Sequence, residues 1–468
     1  MSVAHLAAVQ RACRQLYIIT TPYVWQSVDL EQLLLLLPGS TCELGKAPKI
    51  EMITPFPIPD AYFDRFFHYS RFVKSLTIIP QYVISGSFVE DSNEMAVLVQ
   101  TTGHLTLPSL REVKLTIIVE NDQRGYRDEY EDYGFWIEAL IPRAIKQISF
   151  EAFSNYNETL LQALIDRAPE LSHFDFACEV RSSRFYRDIV GPKAMSNVGF
   201  LRYSGSIMDP DVLQWFADMP RLQSLELTLD PEDSEDPNVP EIEYKTEAFQ
   251  ALTTLRVFTC DHGDVGEQLN LLKLIWRTPL VKCLTCLEIK LSKPIHPGIE
   301  ELDDFMSALT SHSPRISDLR IWSSSQPEDY PEIGVDFLSD MGQLPIRAFM
   351  LQPSIYVKVG QTLFKDLSGK FAKVEDLDLE STSVEVSDLL NVHDQLPKLH
   401  RLRIGVWQTK TDRKRLKRTL LPKIKGLSLR TTESSCGSSL SVRFRERRPM
   451  PGTCAYNLDF CDIDLLAL

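Results

Sequence analysis

Large apolar residues recur along this chain in one frame, Pro-x-Leu-x-x-Leu-x-Leu, with any bulky apolar side chain accepted at the leucine positions. Pro220-Leu222-Leu225-Leu227 is its plainest copy. Others are Pro108-Leu110-Val113-Leu115, Pro142-Ile145-Ile148-Phe150, Pro169-Leu171-Phe174-Phe176, Pro314-Ile316-Leu319-Ile321, Pro397-Leu399-Leu402-Ile404 and Pro422-Ile424-Leu427-Leu429. Six more lack a well-placed proline: Val73-Leu76-Ile78, Val198-Leu201-Tyr203, Leu252-Leu255-Val257, Leu284-Leu287-Ile289, Ile346-Phe349-Leu351 and Val374-Leu377-Leu379. The closing pair of each copy has the two-residue period of a short strand. Proline ahead of it lacks an N–H and disfavours helix in the residue before, so it ends the preceding element.

Between copies the period changes from two to that of an amphipathic helix. Leu160, Leu161, Leu164 and Ile165 precede Pro169; Val212, Leu213, Trp215 and Phe216 precede Pro220. Leu302, Phe305, Met306 and Leu309 precede Pro314, and Val386, Leu389, Leu390 and Val392 precede Pro397. Successive copies are spaced 24 to 37 residues apart. Strand then helix at such a period is the plan of a leucine-rich repeat, in which each unit buries its apolar face only against its neighbours. The expected fold class is therefore α/β: a horseshoe solenoid of the ribonuclease-inhibitor type, with about thirteen short parallel strands on its concave face and a short helical N-terminal cap. The expected organisation is a helical segment over residues 1–38, a turn-rich connector over 39–70, the solenoid over 71–432 and a tail or cap over 433–468.

Composition narrows the function classes. The 468 residues are 44% hydrophobic with a formal net charge of −14. That charge is uneven: residues 401–468 carry 15 Lys+Arg against 6 Asp+Glu, and the remainder 35 against 58. So acidic a body argues against nucleic acid as a ligand. No apolar run reaches the ~18–20 residues of a membrane helix, and the N-terminus lacks the form of a secretory signal; a cytoplasmic or nuclear setting and no membrane partner are expected. Nine cysteines without framework spacing argue against a disulfide scaffold. Cys283 and Cys286 form a C-x-x-C inside a repeat, with no second pair at zinc-ligand distance, so no metal is expected. No nucleophile elbow, phosphate loop, H-E-x-x-H or dinucleotide fingerprint is present. His262-Gly263-Asp264 follows a strand without a nucleophile nearby in sequence. The expectation is a binding protein, not an enzyme, with no cofactor.

The N-terminus reads differently. Leu6, Val9, Cys13 and Leu16 have a helical period, Pro22 is expected to break it, and Tyr23-Val24-Trp25 offers a bulky apolar anchor. The string from Ala8 to Leu16, containing Cys13-Arg14, followed by Thr21-Pro22-Tyr23-Val24-Trp25-Gln26-Ser27-Val28, resembles the second half of an F-box. With the divergent repeats behind it, the chain is similar to the large F-box/leucine-rich-repeat families of fungi. The Leu-Pro-x-Glu-type start of the motif is not found ahead of these residues. The resemblance implies that Cys13, Leu16 and Trp25 contact the Skp adaptor of a cullin-RING ubiquitin ligase, while the repeats hold an unidentified protein substrate. The alternative is a repeat scaffold or inhibitor with no link to ubiquitin transfer.

Strand alternation also predicts the binding surface. The residue between the two closing apolar positions and the residue after them should face the concave side. That places Lys114, Asp175, Arg202, Glu226, Arg256, Glu288, Arg320, Asp378 and Arg403 in one row. Glu151, Phe258, Lys290, Trp322, Gln352, Glu380 and Arg430 form the next. Phe258 and Trp322 stand out, because large aromatics on an open face cost solvation unless covered. With Arg256, Arg320, Asp378 and Glu380 they are the expected partner contacts, Trp322 beside Arg320 foremost. Two acidic insertions, Glu120–Tyr133 with Tyr126, Tyr130 and Tyr133, and Asp230–Glu243, fit either solvated loops or added binding surface. The basic run from Lys410 to Arg418 fits either a nuclear-import signal or the exposed face of a last helix.

Overall fold

The computed structural model describes residues 14–37, 40–43, 49–52, 64–80, 83–86, 107–117, 130–152, 158–178, 195–204, 210–229, 248–293, 295, 300–323, 333–334, 340–352, 355–356, 363–385, 389, 392–407, 427–434 and 437–444. Thirteen strands join in one sheet, following chain order apart from small strands that stand outside it. They are β1 (Ser27–Asp29), β2 (Ser75–Ile78), β3 (Glu112–Ile117), β4 (Gln147–Ala152), β5 (His173–Cys178), β6 (Phe200–Ser204) and β7 (Ser224–Leu229), then β8 (Thr254–Thr259), β9 (Cys286–Leu291), β10 (Asp318–Ser323), β11 (Ala348–Leu351), β12 (Asp376–Glu385) and β13 (Arg401–Trp407). Every neighbouring pair is parallel. The architecture is that of a leucine-rich-repeat solenoid, and twelve of the thirteen frames supply its strands.

The three apolar positions of each of those twelve frames are buried, from Val73, Leu76 and Ile78 to Leu399, Leu402 and Ile404. Because the frames align copy to copy, the core is built from stacked equivalents. Phe150 stacks on Phe176 with centroids 5.4 Å apart, and Phe176 on Tyr203 at 6.3 Å. The leading end of the sheet is held the same way at each step. Lys74 O accepts from the N–H groups of both Arg111 and Glu112, and Arg111 O from those of Lys146 and Gln147. This double acceptance repeats through all twelve junctions, from Gln26 O to Glu375 O, at 2.7–3.2 Å. Backbone donors that would otherwise be orphaned where a turn enters a strand are thereby satisfied by the neighbouring repeat.

The helices cover the opposite face. Glu158–Asp166, Pro210–Ala217 and Glu300–His312 carry the apolar residues expected of them, and all of these residues are buried. Asp264, in the His262-Gly263-Asp264 string, is the N-cap of Val265–Trp276. Its side chain accepts from the Glu267 N–H while the Glu267 carboxylate accepts from the Asp264 N–H, a capping box. Gly263 takes φ 71°, a left-handed conformation that glycine adopts without strain.

Four expectations are corrected. The sheet begins at β1, before residue 71, with Val28 in register with Leu76. Residues 27–29 match no copy of the frame, and their strand character comes from pairing with β2. The thirteenth copy does not extend the sheet: Leu427–Ser434 (β14) pairs antiparallel with Gly437–Phe444 (β15), a hairpin that crosses the expected boundary at 432/433 and lies alongside β13. Arg430 therefore belongs to that hairpin and not to the open row. Pro22 does not break its helix, which runs Arg14–Val24 with the proline inside it. Proline cannot donate to the Ile18 carbonyl, but the neighbouring hydroxyls of Thr20 and Thr21 donate to Leu16 O and Tyr17 O at 2.7 and 2.6 Å. The connector holds two strands, Ser40–Glu43 and Lys49–Met52, in a small sheet with Val83–Gly86, and the helix Asp64–Ser70.

Candidate functional site: the open face of the sheet

With Leu, Ile, Val and Phe filling one side of each strand, alternation sends the intervening residues to the other side, where most of those described are at least partly exposed. Parallel pairing in register turns these residues into rows. The central row runs Lys114, Ser149, Asp175, Arg202, Glu226, Arg256, Glu288, Arg320, Met350, Asp378, Arg403 from β3 to β13. Opposite charges alternate along its middle, so the side chains interlock. Arg202 Nε donates to Glu226 Oε1 at 2.5 Å and its Nη1 to Asp175 Oδ2 at 2.9 Å. Glu226 Oε2 lies 3.5 Å from Arg256 Nη1, and Arg256 Nε 3.4 Å from Glu288 Oε2. The result is a five-strand ion ladder with Glu226 buried at its centre.

Burial pushes the Asp175 carboxyl above the usual range; Arg202 opposes this, while Glu226 and Glu151 add to it. Burial alone would lower the Arg202 pKa, but Glu226 and Asp175 outweigh it, and the guanidinium is more firmly protonated than usual. Arg320 turns to its own strand, with Nε 3.1 Å from Asp318 Oδ1 and Nη2 3.0 Å from Asp318 Oδ2. That paired hydrogen bond raises the Arg320 pKa. Arg403 Nη1 reaches Asp378 Oδ2 at 3.5 Å.

The next row places Thr228, Phe258, Lys290 and Trp322 in register on β7 to β10. Phe258 and Trp322 are half-buried. Lys290 Nζ sits over the Trp322 ring at 5.6 Å from its centroid, so a cation from the neighbouring strand covers part of the indole. The Trp322 Nε1 atom is buried and has no hydrogen-bond partner among the described residues. The structure thus brings Arg256 and Phe258 on β8 and Arg320 and Trp322 on β10 to either side of β9, with Asp378 two strands further along. Glu380 is on β12, but its side chain lies outside the described residues.

At the N-terminus, Cys13 lies outside the described residues. Leu16 is exposed on its helix, together with Ile18, Ile19 and Tyr23 at 61–63%. Trp25 is partly buried, stacked on Tyr69 at 4.2 Å and packed against the core. Tyr133 is not loop surface as one reading of the first acidic insertion had it: it belongs to the helix Tyr130–Leu140 and is buried. Tyr126, the Asp230–Glu243 insertion and the basic run at 410–418 lie outside the described residues. Sequence reasoning missed a third open row, Glu112, Gln147, His173 and Phe200, one alternation step earlier on β3 to β6. Extending the two-residue period back by one step would have found it.

The open face offers fixed charges and half-covered aromatics, chemistry suited to recognition by contact. Among the described residues, no cluster of three or more His, Cys, Asp or Glu is placed to hold a metal. Cys283 and Cys286 are both free and half-buried, and burial together with Asp318 raises the Cys286 thiol pKa. Among the same residues no helix is long and apolar enough to cross a membrane.

Open face, stacked frames and covering helices define the chain as a leucine-rich-repeat-type solenoid. No protein-family model and no curated protein matches it. Among solved structures it is similar to the crystal structure of a TLR13–ssRNA13 complex, with a TM-score of 0.34 and 13% identity over 74% of this chain and 55% of that one. The chain thus spans about half the length of that protein.

Proposed function

We propose that this solenoid is a protein-recognition subunit of a cullin-RING ubiquitin ligase, joined to the Skp adaptor at its N-terminal end and holding a protein target on its open face, in the cytoplasm or nucleus. The observation that carries the adaptor half is the helix Arg14–Val24. Leu16, Ile19 and Tyr23 recur on it at helical spacing and, with Ile18, remain exposed. An outward apolar stripe of this kind gains by being covered, and Leu16 is one of the residues at which the F-box resemblance implies adaptor contact. The target half is supported by Phe258, Arg320 and Trp322, since aromatic and arginine side chains concentrate binding energy.

A second reading, a stand-alone repeat scaffold, is favoured by a different observation. Trp25 stacks on Tyr69, and the adjoining residues 27–29 form the first strand of the sheet, so this part of the F-box-like string serves the solenoid itself. Purified Skp adaptor titrated against the chain separates the two. On the ligase reading it binds, and Leu16→Glu with Ile19→Glu abolishes binding while the circular dichroism spectrum is unchanged. Absence of binding by the wild-type chain selects the scaffold.

A further inference from the structure

The third open row borders a cleft of about 290 Å³ on β3 to β6, lined by Glu112, Ser149, His173, Asp175, Phe200 and Arg202 among others. Its origin lies in one small residue. Ser149 stands between Lys114 and Asp175 in the central row, a small uncharged residue between two charged ones. On one side, the His173 ring stacks on Phe200, with centroids 5.8 Å apart and planes 29° from parallel. On the leading edge, Gln147 Nε2 donates to Glu112 Oε1 at 3.2 Å and steadies that carboxylate. Asp175 is held from the other side by Arg202.

The cleft is lined by two carboxylates, Glu112 and Asp175, and two cations, Lys114 and Arg202. Glu151 and Glu226 add negative charge beside Asp175, Glu226 being shared between Arg202 and Arg256. Arg202 is already shared between two carboxylates. Lys114 is half-exposed and 3.8 Å from Glu112. A cation entering the cleft would offset the like-charge repulsion that Glu226 and Glu151 exert on Asp175. An apolar group would desolvate the two carboxylates further without giving either a new hydrogen bond.

We propose that the cleft is a pocket for one arginine side chain of a protein partner, its guanidinium stacked on the His173–Phe200 pair and hydrogen-bonded to Glu112 and Asp175. A planar guanidinium matches both features, because it stacks on aromatic rings and bonds carboxylates in pairs. The proposal deepens the reading of the open face as a protein-binding surface, but lies on different strands from Phe258 and Trp322.

The test is saturation-transfer NMR on the full chain with N-acetylarginine amide, against N-acetylcitrulline amide, which has nearly the same shape without the charge. Arginine should give saturation transfer and citrulline none. Glu112→Gln and Asp175→Asn should each weaken the probe by about tenfold, a loss typical of one charge-assisted contact. Ser149→Met, which fills the cleft without altering a charge, should abolish the signal, and Trp322→Ala should leave it intact. Equal signals from citrulline, or wild-type binding by Ser149→Met, overturn the proposal. If Ser149→Met does not fold, Glu112→Gln decides, since it is isosteric and its side chain is only half-buried. Because the probe needs no partner, its failure removes the pocket alone. Failure of adaptor binding or of Trp322 as a partner contact would remove the proposed function and leave the pocket standing.

Discussion

Glu226→Gln is the most informative single change to the ion ladder, since it keeps the side-chain volume and removes only the charge that joins β6 to β8. Glu226 is 6% exposed, whereas the side chains of its partners Arg202 and Arg256 are 44% and 43% exposed. Exposed pairs contribute about 0.2–1 kcal/mol each, and breaking a fully buried pair costs about 3–5 kcal/mol. A buried acid between two half-exposed cations falls between these limits, at about 1 kcal/mol per pair and about 2 kcal/mol for the two. Arg202 keeps Asp175 and Arg256 keeps Glu288, so neither guanidinium is stranded and the cost does not approach the buried-pair limit. Urea unfolding followed by circular dichroism, with hydrogen exchange at the Leu225 and Leu227 amides, should show this loss locally and globally. In 1 M salt, where the screening length falls to about 3 Å, the difference between variant and wild type should shrink. A change below about 0.5 kcal/mol, the ordinary scatter of surface substitutions, would refute the ladder as a stabilising device. So would a loss independent of salt.

Two further predictions concern buried polar groups. Glu31 is buried and its Oε1 has no hydrogen-bond partner among the described residues; burial, with Asp29 nearby, raises its pKa from 4.5 to about 7. The folded state therefore binds this proton more tightly than the unfolded chain. The stability so contributed is complete below pH 4.5 and is lost as pH rises through about 7. The shift corresponds to about 3 kcal/mol, so Glu31→Gln should raise the melting temperature at pH 8 and leave it unchanged at pH 4; an equal effect at both would contradict the assignment. Ser313 accepts from the buried Trp276 indole N–H at 3.1 Å and donates to Val281 O at 2.9 Å. Ser313→Ala should cost about 1–3 kcal/mol in denaturant unfolding, because it deprives a buried donor of its acceptor; a neutral result would mean that another acceptor is within reach.

What could be read in advance was what repeats. Leu225 and Leu227 are placed by a period of two, and their equivalents by copying the frame, so the core and the central row followed from spacing alone. The order of the charges was also legible, with Glu226 between Arg202 and Arg256, but their interlocking was not read from it, since an alternating row also suits a solvated face. The two ends did not follow. Val28 joins the sheet through its backbone partner Leu76, and three residues with one apolar side chain carry no signature of their own. Leu427 and Leu429 satisfy the frame, but a period of two describes an antiparallel hairpin equally well, and Gly437 begins the strand that returns beside them. Trp322 was legible as an open aromatic. Its cover was not, since Lys290 reaches it from another repeat through a side-chain rotamer that no linear pattern encodes.

On the proposed function, partners are held on the open face and not on the helical one. Photo-crosslinking tests this most directly, with benzoylphenylalanine replacing Phe258 on β8 in one protein and Asp304 on the helix Glu300–His312 in another. In cell extract the account predicts a discrete protein adduct from position 258 and none from 304. It also predicts that Trp322→Ala weakens the adduct in proportion to a loss of about 2 kcal/mol in affinity. An adduct from position 304 with none from 258, or one from 258 that is indifferent to Trp322→Ala, would contradict it.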